Sequence, residues 1–362
     1  MSDSKRRYGA IRKSLNGIYP SAPTGTLARH LNVLAAMING IIGSQSTNLP
    51  AISGKCALQA VPESRVKRFY RWLQDDVVEL ETYFLPFAEA LIHSFLPTPL
   101  VLVIDGSVAG RGCVALVIGL VYKQRALPIA WIVARGKKGH FAEAVHIALI
   151  EKVKALIPPG ATVTLLGDGE FDGISLQAVV SGWKWRYVCR TAKNILLYWR
   201  KEQFCFQDMG EAIRAGEMMD VPKSYVTEKR HGPVTAIAWW GKGYKEPLYL
   251  ITNMESAQEA CFLYKKRFVI ETFFSDQKSR GFFLDKSHLS DPLRLSRLMI
   301  AACLAYYWIC YLGAVALENG WLRFIHRTHR CDLSLFQLGL RLLDYLIEHN
   351  WPLPEKLHWK EF

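Results

Sequence analysis

The chain has 362 residues, with 45 Lys and Arg against 32 Asp and Glu, a net charge of +13. Half the residues are hydrophobic and 12% are aromatic, which excludes a disordered tail and provides for a large core in about two domains. The basic excess favours a polyanionic partner, nucleic acid before an anionic membrane.

Residues 1–98 read as helical, with apolar positions at three-to-four spacing over 27–42 and 66–95. Arg65, Lys67, Arg68 and Arg71 alternate with Val66, Phe69, Tyr70 and Trp72. That pattern fits a DNA-contacting helix with cations for phosphates, and equally a solvated basic face. Lys5, Arg6 and Arg7 are not followed by an apolar run, so no secretory leader is expected. Pro97 and Pro99 mark a boundary.

The texture then changes. Residues 100–104 form an apolar run ending at Asp105-Gly106, and 114–122 and 127–134 are further Val- and Ile-rich strand candidates. Short turns between them predict an antiparallel meander. A basic loop with Lys137 and Lys138 follows, then an amphipathic helix over 141–157, stopped by Pro158-Pro159-Gly160. A buried-type strand over 162–166 ends at Gly167-Asp168-Gly169. A short helix over 174–181 and a strand over 185–189 complete this part.

From 192 to 254 the pattern is β-rich, with a hairpin about Arg230-His231-Gly232-Pro233 and a strand over 247–252. Trp239 and Trp240 are candidates for stacking on bases, and packing of a ring against the core accounts for them as well. Asp291-Pro292 starts a helix, and 298–317 runs without a charge. Twenty such residues can span a bilayer, but the run is alone and rich in Ala, Gly and Cys, which favours a buried helix. Residues 321–330 are basic, 333–347 are an amphipathic helix, and the tail is irregular.

Eight scattered cysteines without a Cys-x-x-Cys pair read as reduced thiols of a cytosolic protein. Asp168, Glu170, Asp172 and Gly173 begin like a calcium loop, but the twelfth position is Val179. His326, His329 and Cys331 lack a second ligand pair for zinc. No phosphate-binding Gly-x-x-x-x-Gly-Lys-Ser/Thr loop occurs.

Residues 264–278 carry the chemistry. On one regular helix, Tyr264, Arg267, Glu271 and Lys278 fall within an arc of about 60°, with Phe262, Val269, Ile270 and Phe273 opposite. Asp105, Asp168 and Glu271 are separated by 63 and 103 positions, so only a fold brings them together. Three carboxylates, two at strand ends and one in a cationic stripe, suit a pair of Mg²⁺ ions acting on a phosphodiester. Arg267 can reach a phosphate there, or simply pair with Glu271 at i,i+4.

Tyr-x2-Arg-x3-Glu-x6-Lys at 264, 267, 271 and 278 resembles the Tyr-Arg-Glu-Lys signature of DDE transposases from bacterial insertion sequences, of the insertion-sequence-four type. Asp105 and Asp168 look like that family's first two aspartates, and Gly169-Glu170-Phe171 like a variant of the usual follow-on. The resemblance implies an α/β protein with a ribonuclease-H-like core. Its parts would be a helical DNA-binding region (1–98), the core's first part (99–191), a β-rich insertion (192–254), the Glu helix and the following helix (255–320), and a helical tail (321–362).

It also implies a cytoplasmic, nucleoid-associated enzyme of DNA transposition and recombination. Such an enzyme cleaves transposon ends and transfers them to target DNA as a homodimer on two ends. Two Mg²⁺ ions, replaceable by Mn²⁺, would be held by Asp105, Asp168 and Glu271. Tyr264, Arg267 and Lys278 would clamp the DNA end, and Trp239 or Trp240 would stack on a flipped base. A nuclease of the same fold without strand transfer, and a non-catalytic DNA-binding relative, are the rival readings.

Overall fold

The computed structural model describes residues 2–137, 141–327 and 331–359. Six helices come first: α1 (Asp3–Asn16), α2 (Gly25–Ser44), α3 (Leu49–Lys55), α4 (Pro62–Gln74), α5 (Leu80–Tyr83) and α6 (Leu85–Ser94). The periodicity over 66–95 therefore belongs to three helices and not one. Leu85-Pro86 begins the last of them, where Pro is tolerated because its missing N–H would be unpaired anyway.

The meander follows as β1 (Leu100–Gly110), β2 (Cys113–Tyr122) and β3 (Arg125–Arg135). Next come α7 (Glu143–Leu156), β4 (Val163–Gly167), α8 (Ile174–Gly182) and β5 (Arg186–Arg190). The remaining strands are β6 (Leu196–Trp199), β7 (Glu202–Cys205), β8 (Met218–Val226), β9 (His231–Trp239) and β10 (Leu248–Thr252), with α9 (Phe206–Glu211) after β7. All ten form one sheet in the order β3-β2-β1-β4-β5-β10-β9-β8-β6-β7. Strands β1, β4 and β5 are mutually parallel, and β10 joins β5 antiparallel. The β-rich segment thus continues the core sheet through β10.

After β10 come α10 (Ala257–Tyr264), a 3₁₀ turn (Lys265–Phe268) and α11 (Val269–Gln277). The carboxyl-terminal helices are α12 (Pro292–Glu318), α13 (Leu322–Ile325) and α14 (Leu335–Glu348). The Asp291 side chain caps α12 by accepting from the Arg294 N–H, with Pro292 in the first turn. Helix α12 is long and apolar enough to cross a membrane, yet 89% of its most apolar window is buried within the fold. It packs against β3, α2 and α14. Gly313 of α12 and Gly339 of α14 permit the close approach, since a Cβ at either would run into a facing backbone carbonyl.

Candidate active site

The pairing of β1 with β4 brings two of the carboxylates together. Val103 pairs with Leu166, an offset of 63 residues, and Asp105 and Asp168 are also 63 apart (168 − 105). Pairing ends at Val103 and Leu166 and β4 ends at Gly167, so Asp168 lies just past its strand, level with Asp105 by the same offset and near enough for its charge to act on it. Side chains in one parallel register leave the same face of the sheet. Strand β1 does not end at Asp105, contrary to the sequence expectation; it continues to Gly110 in a hairpin with β2. Asp105 and Ser107 therefore share a face.

Asp105 is mostly buried, and its Oδ1 accepts from the Gly106 N–H at 2.7 Å. Burial first, and then the Asp168 charge, push its carboxyl up to about 6. The Gly106 N–H and Arg267 oppose that shift, and Glu271 adds to it. Asp168 accepts at Oδ1 from the Glu170 N–H at 3.0 Å.

Residues 264–278 do not form the single regular helix that periodicity predicts. The 3₁₀ turn interrupts it, so a constant 100° step no longer applies. Tyr264 turns inward at 1% exposure, and burial pushes its phenol up to about 12. Arg267 and Arg190 are the cations that act on it. Phe262, expected in the core, is 61% exposed, whereas Ile270 and Phe273 are buried as expected.

Arg267 is 7% exposed. Its Nη2 donates to Glu271 Oε1 at 2.9 Å, and its Nη1 lies 3.7 Å from Asp105 Oδ2. One guanidinium thus links the first-strand carboxylate to the helix carboxylate, and its buried Nε has no hydrogen-bond partner. Lys278 Nζ donates to Ser107 Oγ at 2.6 Å, two residues beyond Asp105 along β1. Ser107 was missed in the sequence, although its period-2 spacing from Asp105 is a signal once the strand is known to continue.

The other candidates spread more widely. Trp239 is half-buried, with Tyr244 edge-on at 5.3 Å and Lys265 Nζ 5.2 Å from its ring centroid. Trp240 donates its indole N–H to the Tyr244 carbonyl at 2.9 Å and borders a cavity of about 450 Å³ with Arg190 and Lys193. Both rings pack against the core. Arg65 is turned back to the Ser53 carbonyl at 2.8 Å, while Arg68 and Lys137 are exposed. Lys138 lies outside the described residues, as do His329 and Arg330.

The donor set fits a divalent cation. Its atoms are hard carboxylate oxygens, and the Asp168 repulsion that adds to burial in raising Asp105 is what such a cation relieves. The expected convergence of three ligands is not preformed, however. Among the described residues no group of three His, Cys, Asp or Glu is gathered closely enough to hold a metal. Arg267 bridges Glu271 and Asp105, its guanidinium 2.9 Å from the one carboxylate and 3.7 Å from the other.

Residues 99–308, more than half the chain, match the model of the transposase DDE domain family. The chain belongs to that family, and so is an enzyme of DNA transposition and recombination. DDE transposases generally use divalent metal ions. Among solved structures, a piggyBac transposase synaptic complex with hairpin DNA is similar at 13% identity and a TM-score of 0.49. That match covers 95% of this chain and 79% of the other. Direct comparison with curated proteins gives no match.

Proposed function

We propose that this chain is a cut-and-paste transposase of the insertion-sequence-four type. It binds the terminal inverted repeats of its element, cleaves the ends and joins the freed 3′ ends to target DNA. The observation that carries this reading is the pairing of β1 with β4 at the same offset of 63 that separates Asp105 from Asp168, with Arg267 linking Asp105 to Glu271.

Asp105, Asp168 and Glu271 would hold two Mg²⁺ ions, with Mn²⁺ able to substitute. Such a pair supplies activation of water or a 3′-hydroxyl and stabilises the leaving oxygen. Arg267 pairs with Asp105 and Glu271 in the free protein, and its guanidinium would suit a phosphate oxygen bound beside them. Lys278, held at Ser107, provides a second cation further along β1 for the strand leaving the site. Tyr264, buried in the free protein, would join Arg267 and Lys278 in clamping the DNA end. Arg68, Lys137 and Lys138 would add phosphate contacts outside the site, Trp239 and Trp240 the stacking, and a homodimer would pair two ends.

The test is incubation of the protein with Mg²⁺, a labelled duplex carrying the element's end, and a supercoiled target plasmid. Labelled ends joined to the plasmid are expected. Cut ends that never join would reduce the reading to a nuclease.

A further inference from the structure

We infer that Glu170, His146 and Phe141 form a brace that sets the separation of Asp105 and Asp168, making them positioning residues for the reaction. The inference rests on the reading of the two aspartates as metal ligands.

The brace is a continuous set of contacts from one aspartate to the other. Glu170 Oε1 accepts from the Phe141 N–H at 2.8 Å and lies 3.1 Å from His146 Nε2. A carboxylate only accepts, so the ring nitrogen facing it donates. Glu170's own N–H donates to Asp168 Oδ1 at 3.0 Å, so the residue holding the brace also orients the second aspartate. At the other end, the Phe141 ring lies against Gly106, the residue after Asp105; a Cβ there would be 3.4 Å from Phe141 Cε2.

The contacts beneath are closely packed. His146 is 2% exposed and its ring centroid lies 4.7 Å from that of Phe171, which is fully buried. Phe171 sits so close over Gly167 that a Cβ at Gly167 would fall 2.6 Å from Phe171 Cβ. Helix α7 also fixes the far end of the Asp168 loop, since Glu143 Oε1 accepts from the Leu176 N–H at 2.9 Å.

The arrangement has a physical purpose. Asp105 and Asp168 repel each other, and β1 and β4 stop pairing at Val103 and Leu166, two residues before the aspartates. β2 holds Asp105 and β5 holds Gly167, but no rung joins β1 to β4 at the level of the carboxylates. The Phe141 ring against Gly106, tied through Glu170 to Asp168, supplies the missing restraint. Second-layer contacts of this kind commonly alter metal affinity and rate by tenfold or more.

The experiment compares Glu170→Ala and Glu170→Gln with the parent protein. Single-turnover cleavage at saturating labelled end is measured against Mg²⁺ concentration, alongside end binding and the Mn²⁺-induced rise in Tm without DNA. Glu170→Ala should cleave about thirtyfold more slowly, need several-fold more Mg²⁺ and show a smaller Mn²⁺ shift, with end affinity within about twofold. Glu170→Gln keeps an acceptor for Phe141 and His146, and should recover most of the rate.

Equal loss in Glu170→Gln, or unchanged metal dependence in Glu170→Ala, would overturn the brace. Should Glu170→Ala fail to fold, Phe141→Leu decides: it keeps the N–H but removes the ring from Gly106, so a slowed, Mg²⁺-hungry enzyme is expected and parental behaviour would refute the proposal. Asp105→Ala serves as the control. Cleavage by that variant would remove the metal-ligand reading itself, whereas an inert Asp105→Ala beside a fully active Glu170→Ala would remove only the brace.

Discussion

Helix α11 carries two ion pairs, one on each side, and they differ in almost every respect. Glu271 is in its first turn, 57% exposed at the side chain, and meets Arg267 and through it Asp105. Asp276 is near its end, 5% exposed, with Arg125 Nε at 3.4 Å and the Tyr306 hydroxyl donating at 3.4 Å. The Arg125 contact is electrostatic, because the geometry does not make it a hydrogen bond. A cavity of about 570 Å³ opens on this second side, lined by Lys123, Arg125, Asp276 and Arg280, and none of the three candidate metal ligands lines it. The exposed carboxylate is the one suited to chemistry; the buried one is suited to holding α11 against β3.

The largest effect should separate the two carboxylates directly. Glu271→Gln should slow end cleavage by about a thousandfold or more, the scale expected when a charge that stabilises the transition state is lost. Asp276→Asn should stay within a few-fold of the parent. Comparable cleavage by the two variants would erase the distinction.

A smaller effect should appear in stability. Arg125→Ala leaves Asp276 buried without its cation, and removal of one partner of a buried pair costs about 3 kcal/mol. Urea unfolding should report that loss, with cleavage per folded molecule preserved. A variant as stable as the parent would show that the pair does not anchor α11.

The smallest effect concerns pH. Burial pushes the Asp276 carboxyl up to about 6, despite the opposing pull of Arg125, the Tyr306 hydroxyl and Arg280. The native carboxyl therefore keeps its proton above the unfolded value of about 4. A raised folded pKa means that the stabilisation is fully present below about pH 4 and is lost as pH rises through about 6. Asp276→Asn cannot titrate, so the fall in unfolding free energy between pH 4.5 and 7.5 should shrink. It should not vanish, because Asp105 titrates in the same window. An undiminished fall would mean that Asp276 titrates normally.

The contrast between the pairs also separates what the sequence could reveal from what it could not. Apolar runs marked β2, β3 and β4 because strands buried on both faces are continuously hydrophobic. The continuation of β1 past Asp105 was hidden by Gly106 and Ser107, which read as a turn. Spacing found Arg267 and Glu271, as they are neighbours along the chain. It missed Arg125 and Asp276, which only folding joins, and the 3₁₀ turn that buries Tyr264. The offset of 63 was visible as a number; it gained meaning only with the register of β1 and β4.

The most direct measurement is Mg²⁺-dependent cutting of a labelled element end by Asp105→Ala, Asp168→Ala and Glu271→Ala, with end binding measured on the same preparations. The expected result is three variants that bind the end with near-parental affinity and leave it uncut. Cutting at the parental rate by any one of them would contradict the assignment of these carboxylates as the metal ligands.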